Sequence, residues 1–236
     1  MAVPPEMTLR TLNGKFTINK TYSDSVDKMM ALQGFPYLMR MAARTATIEL
    51  TFTSIPVPEA QSPTGPSKLK IATLLSAVGM SLGKEKVDER HIDGVAWEED
   101  DGALGLVVGR AWWCPLGELS LDFEGGKDEG KSEGLEFLKG FDGVVKEGRD
   151  LGESKWRLKA GDGEGIEKVV DGGDEVIRLQ VEAKKSGALA DHVWGFETGF
   201  GEGEEKEKRR YTRRMLARKG DKVEMAKLVY DYLGPS

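Results

Sequence analysis

Between Leu12 and Phe52 the spacing of apolar residues changes twice. Thr11–Lys20 (TLNGKFTINK) reads as a short strand. Met29, Met30, Leu32, Phe35, Leu38, Met39 and Ala42 then recur at three- and four-residue spacing, a helical pattern that Asp24 or Ser25 is placed to cap. Gly34-Phe35-Pro36 divides it into two short helices, because proline has no N–H with which to continue the first. From Ala46 the period drops to two. Ala46, Ile48, Leu50 and Phe52 alternate with Thr45, Thr47, Glu49, Thr51 and Thr53, giving a strand with one apolar face. Strand, helix pair, strand predicts the capped entrance of a small closed β-barrel that holds an apolar molecule.

The rest of the chain continues the strand rhythm with one interruption. Residues 1–9 read as a loose leader, and PVPEAQSPTGPS as a loop on its proline and serine content. Strand candidates follow at Lys68–Ala77, Met80–Glu89, His91–Glu98 and Leu104–Trp113. From Pro115 to Asp174 glycine and charge crowd together (FEGGKDEGKSEG, KAGDGEGIEK, DGGDE), leaving Leu135-Glu136-Phe137-Leu138 and Trp156-Arg157-Leu158 as apolar clusters. That insertion of about sixty residues reads as a partly ordered flap. Strands resume at Glu175–Lys184, His192–Gly199, Arg209–Arg218 and Lys222–Leu233. The expectation is an all-β chain: a single antiparallel closed barrel of about ten strands, with a core of about 10–113 and 176–233 and an insertion of about 115–174.

The last two strands fix their own register. Gly220-Asp221 between Lys219 and Lys222 is a two-residue hairpin signal, glycine supplying the first position of a type II′ turn. Ala217 then faces Glu224, Met215 faces Ala226, Arg213 faces Leu228, Tyr211 faces Tyr230 and Arg209 faces Tyr232. This face is apolar and aromatic with Arg213 in its middle. Arg210, Arg214, Arg218, Lys227 and Asp231 share the other face, which suits solvent; a one-residue slip would exchange the two.

Composition narrows the class. Charged residues are 31% of the 236, mean hydropathy is −0.41, and no apolar run approaches the roughly 20 residues of a membrane span. MAVPPEMTLR has prolines where a signal peptide needs its apolar stretch, and the single cysteine, Cys114, fits a reducing compartment, so a cytoplasmic location is expected. Two histidines and one cysteine leave little material for a zinc site, and the expectation is no metal and no cofactor. The net charge of −6 argues against nucleic acid as a partner.

With these residues in view a resemblance can be stated. LNGKF, the double short helix and the alternating strand after it resemble the calycin barrels, specifically the intracellular fatty-acid-binding type. Gly14-Lys15-Phe16 is similar to the Gly-x-Trp start of the first strand, with Phe16 in place of tryptophan. ALQGFPYLMRMAARTATIELTF, VWGFE and RRYTRRMLARKGDKVEMAKLVYDYL also resemble small lipocalin-like proteins of filamentous fungi. The resemblance spans roughly residues 10–113 and 176–233 and leaves out the insertion. It implies a fatty-acid carboxylate held by arginines and a tyrosine near the final strands, the last carrying Arg-x-Tyr. Here that strand reads Leu228-Val229-Tyr230, so the motif's arginine is missing, and the nearest equivalents are Arg213 and Tyr230.

The candidate ligand-binding set is Arg213, Tyr211, Tyr230, Tyr232, Leu228, Met215, Trp194, Phe196, Trp112 and Met29. Each also has a plainer reading. Arg213 as a bidentate clamp for an anion stands against an arginine covering a barrel rim or pairing with an interior acid. The tyrosines, with Trp112, Trp113, Trp194 and Phe196, line a cavity or simply pack the core. Met29, Met30, Met39 and Met41 fill a core or soften a portal. His192 and Tyr230 are the weak catalytic candidates; an adjacent Asp191 points to the opposite face of a strand and so does not orient His192. Cys114 has no base beside it in sequence. GDGEGIEK lacks the preceding strand and the Lys-Ser/Thr ending of a phosphate loop, and KRRYTRRMLARK sends its charges to both faces of a strand.

Two functions are compatible with this set. One is binding of a hydrophobic or amphipathic small molecule. The other, implied by the fungal resemblance, since some of those proteins are cyclases of the Diels–Alder type, is cofactor-free cyclisation or isomerisation of a polyketide- or terpenoid-like intermediate. In a third reading the 115–174 insertion docks a protein partner.

Overall fold

The computed structural model describes residues 1–56, 69–78, 86–121, 128–141 and 175–236. Among the described residues ten strands form one antiparallel sheet: β1 (Gly14–Ile18), β2 (Thr47–Pro56), β3 (Leu69–Val78), β4 (Lys86–His91), β5 (Trp97–Asp100), β6 (Leu106–Pro115), β7 (Glu175–Ala183), β8 (Ala188–Glu197), β9 (Arg210–Lys219) and β10 (Lys222–Gly234). Their spatial order is β4-β3-β2-β1-β10-β9-β8-β7-β6-β5. Helices α1 (Asp27–Gln33) and α2 (Tyr37–Thr45) fall between β1 and β2, as the helical spacing predicts. Gly34 ends the first helix in the left-handed region, its N–H returning to Met30 and Ala31 carbonyls. Two more helices are α3 (Asp128–Leu138), from the insertion, and the single turn α4 (Glu204–Glu207). The part of the Met80–Glu89 strand candidate before residue 86, the proline-rich loop after residue 56 and the Trp156 cluster lie outside the described residues.

Among the described residues the sheet is not closed by hydrogen bonds, which corrects the closed-barrel expectation. Its edge strands are β4 and β5. The edges meet through side chains instead: Arg90 of β4 forks onto Glu99 of β5, with Nη1 to Oε2 at 3.1 Å and Nη2 to Oε1 at 2.7 Å. Its guanidinium also lies 3.9 Å from the Trp97 ring centroid and reaches Asp88 at 2.6 Å. The physical reason is that two long side chains span this seam where the backbones do not pair.

The last hairpin has the register that its turn predicts, with Lys222 opposite Lys219 and Tyr230 opposite Tyr211, and Gly220 supplies φ +57° at the turn. The expected Arg209–Tyr232 pair is not part of that ladder. Tyr232 pairs with Phe16 of β1, and Arg209 precedes β9. There it donates to the carbonyls of Pro4, Pro5 and Met7. Those bonds, with Val3 N–H to Arg209 O at 2.8 Å, dock the leader that was expected to be loose, burying Val3 and Leu9 against the interior cluster. Helices α1 and α2 stand at the other end, where Met29 packs on Met215, Ala190, Ala217 and Ala226.

The outward face of the last two strands, expected to meet solvent, is in part covered, and the cover extends onto β8. Leu138, Leu135 and Phe137 of α3 pack there with Val193, Leu216, Cys114 and Val176. The approach is close enough that a Cβ at Gly134 would come within 2.3 Å of Leu216 Cδ1. Under this cover Arg214 and Glu197 are both fully buried and form a two-point ion pair at 2.7 and 2.9 Å. The same guanidinium donates to the Gly140 carbonyl and to that of Phe137, which also accepts from Gly140 N–H, at the carbonyl end of α3. The described helix of the insertion is thus packed on the chain's own wall.

Removing one member of such a pair strands the other charge in a dry site. Arg214→Ala is expected to lower unfolding free energy by about 3–5 kcal/mol in urea titration, and Arg214→Met with Glu197→Met to recover most of it. A single-variant loss under about 1 kcal/mol would mean that water reaches the pair.

Candidate functional site on the inner face of the sheet

Alternation decides which side chains face the interior of the sheet. In β8, β9 and β10 the inward rungs are His192–Met215–Ala226, Trp194–Arg213–Leu228 and Phe196–Tyr211–Tyr230. Phe16 and Phe52, from β1 and β2, complete the aromatic wall around Tyr211, with ring centroids at 5.7 and 5.1 Å. Trp97 of β5 and Trp113 of β6 pack on the same cluster.

Arg213 stands in this wall. Its Nε donates to Tyr211 Oη at 2.9 Å, and its guanidinium carbon lies 4.2 Å from the Trp194 ring centroid and 5.7 Å from that of Phe52. No described carboxylate forms an ion pair with it; Asp88, the acid that acts on it through space, is held by Arg90. Its two terminal nitrogens have no hydrogen-bond partner among the described residues. Guanidinium remains charged when buried, so this position presents a fixed positive fork to the interior.

The neighbours of that charge are held neutral. Burial pushes Tyr211 up to about 12, with Arg213 opposing, and burial likewise raises Tyr230. Burial first, and Arg213 second, lower His192 to about 3. His192 and Arg213 are both half-buried and sit on the inward face of their strands. His192 Nε2 and the indole nitrogens of Trp97, Trp113 and Trp194 are buried without hydrogen-bond partners. Asp191 sits outside, held by Arg178 at 2.7 Å and by Gln180, as strand alternation requires.

Of the candidate set, Arg213, Tyr211, Tyr230, Trp194, Phe196, Leu228 and Tyr232 come together in or against this interior. Met29 and Met215 adjoin it beneath the helical cap. Met39 and Met41 of α2 are exposed. Trp112 is a correction: it pairs with Arg178 in the ladder, faces outward and lies under the Arg110 and Arg178 guanidinium groups. Adjacent strand residues cannot both face inward, so the Trp112-Trp113 pair supplies Trp113 alone. Phe16, Phe52, Trp97 and the Arg90–Glu99 pair were not singled out from sequence. Phe16 and Phe52 were already on inward positions of recognised strands, and that was the available signal.

Cys114 is buried on the outer face, and burial raises its thiol pKa. Among the described residues no group of three or more His, Cys, Asp or Glu side chains is arranged to hold a metal ion. A surface hollow of about 260 Å³ includes Asn19, Tyr22, Glu205, Arg210 and Asp231 in its lining. Its arginine is already paired, with Asp231 at 2.8 Å and Glu205 at 2.6 Å. The interior, with its unpaired fork, is the better-equipped site.

No family model matches the chain. Over nearly its whole length it is similar to two fungal proteins. One is the probable pericyclase scpY of Mollisia scopiformis, 26% identical across 99% of this chain and 96% of that one. The other is the pericyclase pydY of an Acremonium species, 25% identical across 100% and 98%. Among solved structures it resembles a Schistosoma mansoni fatty-acid-binding protein in complex with arachidonic acid, with a TM-score of 0.44 and 13% identity over 97% of this chain and 100% of that one. Fatty-acid-binding protein 1 of Echinococcus granulosus gives 0.43 and 11% over 96% and 100%. Secretory abundant heat soluble protein 4 of Ramazzottius varieornatus gives 0.45 and 6% over 97% and 99%. No described helix is long and apolar enough to cross a membrane.

The state of His192 has a pH signature. Its folded pKa of about 3 lies below the ordinary 6.5, so the unfolded chain takes up the proton first. Stability from this group is complete above about pH 6.5 and is lost progressively as pH falls toward 3. Between pH 7 and 4 the wild-type protein should lose on the order of 3 kcal/mol more than His192→Leu in parallel urea titrations. Superimposable pH profiles for the two proteins would show that the imidazole is not held neutral in the fold.

Proposed function

We propose that the barrel interior is a cofactor-free active site that folds a flexible, largely apolar substrate with an acidic or conjugated-carbonyl head for pericyclic ring closure. The observation that carries this reading is Arg213: a charged fork deep in an aromatic interior, fixed by Tyr211, with no described acid to neutralise it. A buried cation without a counter-charge is costly, and a ligand oxygen is the group that relieves the cost. Similarity to scpY and pydY over nearly the whole chain supports pericyclic chemistry as the use of the site.

In an intramolecular cycloaddition, two σ bonds form at the expense of two π bonds, while the remaining π electrons of the diene relocate between its central carbons. No proton, electron or leaving group is exchanged. The protein therefore needs to hold a reactive conformer and to stabilise the charge that grows on the activating carbonyl oxygen. Phe16, Phe52, Trp194 and Tyr211 supply the wall against which the chain folds, and burial of its apolar surface contributes roughly 25 cal/mol per Å² before association costs. Arg213 polarises the head. Tyr211 positions Arg213, its hydroxyl accepting from Nε.

A linear trienoic acid, with a conjugated alkene and a diene joined by a short tether, tests the reading. The wild-type protein should accelerate its cyclisation and favour one diastereomer on chiral chromatography. Arg213→Met should lower the rate about 10–100-fold, a loss of about 1.4–2.8 kcal/mol of transition-state stabilisation. Saturable binding with ring closure at the rate and diastereomer ratio seen in buffer would make the protein a binder of apolar acids and sink the catalytic reading.

A further inference from the structure

We infer that His192 is a second, specificity-determining contact that reads an oxygen of the ligand's acyl head independently of its charge, next to the fork of Arg213. The inference rests on the interior-site reading above and adds a residue and a substrate feature to it. Register places His192 on the inward face of β8, two residues from Trp194 and one rung from Arg213. Its ladder partners are Leu179 and Met215, and Ala190 and Ala226 lie close by in the apolar packing. In such surroundings leucine or methionine would fill the position with no polar atom to satisfy. Instead there is an imidazole whose Nε2 is covered and without a partner.

Asp191 does not explain the histidine, because its carboxylate is held on the opposite face by Arg178 and Gln180. With no carboxylate to orient and charge it, His192 is not built as the base of a dyad. What it offers is a neutral N–H and a lone pair. Trp194 Nε1, equally without a partner, stands beside it on the same face. Arg213 thus responds to the charge of a head group, while His192 responds to the presence of a carbonyl oxygen. The substrate class that uses both is an acyl or conjugated-carbonyl compound with an apolar tail.

Parinaric acid, its methyl ester and the tetraene hydrocarbon of equal length separate these roles by fluorescence titration. His192→Leu should weaken the acid and the ester alike, about tenfold, leave the hydrocarbon unchanged and leave the melting temperature equal or higher. His192→Gln, which keeps a hydrogen-bonding group, should retain most of the ester affinity. Arg213→Met should weaken the acid more than the ester. Ester binding by His192→Leu equal to wild type overturns the inference while the interior site stands. So does an equal loss of hydrocarbon binding with a lower melting temperature, which would make His192 a packing residue. Uptake of the hydrocarbon alone by the wild-type protein keeps the cavity and removes both polar contacts. A wild-type protein that takes up none of the three overturns the interior-site reading, and the role of His192 with it.

Discussion

Strand alternation sends Arg213 and Arg214, neighbours in sequence, to opposite faces of β9. Arg214 is fully buried and Arg213 half-buried, and each charge is tolerable only if it meets something that compensates it. Arg214 meets Glu197 and the carbonyl end of α3, a fully protein-supplied solution. Arg213 meets a phenol oxygen and aromatic faces, a partial one. A cation over a ring gains about 0.5–2 kcal/mol, well short of what a buried charge loses on leaving water. This difference divides the protein into a finished outer wall and an inner surface with unused capacity for an anion or a polarised oxygen.

The same division holds among the other inward polar groups. At the seam between β4 and β5, Arg90, Glu99 and Asp88 satisfy one another and hold together edges that no ladder joins. On β8, His192 Nε2 and Trp194 Nε1 are buried without hydrogen-bond partners, as are the indole nitrogens of Trp97 and Trp113 on β5 and β6. Buried polar atoms are ordinarily paired, so unpaired ones spread around this interior mark it as the place for a ligand's polar end. The charged groups at the seam, by contrast, are taken up in bridging the two edge strands. Helix α3 enters this scheme from outside. It covers the outward side of β8 and β9 around Val193 and Leu216, and the Arg214 anchor ties that cover to the residue next to Arg213.

Local signals were legible in the sequence, and long-range ones were not. The helix pair was readable because three- and four-residue spacing and Pro36 are local facts, and the final register because Gly220-Asp221 allows little else. That register brought Arg213, Tyr211 and Tyr230 to the interior side together. The outward arginines read as solvated because arginine usually is; the cover over Arg214 comes from Phe137 and Leu138, far upstream in a segment of faint periodicity. Trp112 was misplaced because two adjacent tryptophans carry no phase, which only pairing with β7 supplies. The leader looked loose on its prolines, yet prolines keep their carbonyls, and Arg209 gathers those of Pro4 and Pro5. Closure failed as an expectation because edge pairing between β4 and β5 depends on geometry accumulated around the whole sheet.

The electrostatics of the interior bear on what chemistry suits it. Arg213 and burial act in the same direction on His192, lowering its pKa, and in opposite directions on Tyr211, where burial wins. Both groups are therefore neutral near pH 7, and neither is poised to exchange a proton with a substrate at that pH. A site for acid–base catalysis would need a group with its pKa brought toward neutrality, and these two are driven away from it. What remains is one fixed positive charge, a few oriented neutral dipoles and an aromatic wall. Such a set stabilises charge redistribution within a substrate while adding and removing nothing, which is the demand of a concerted rearrangement.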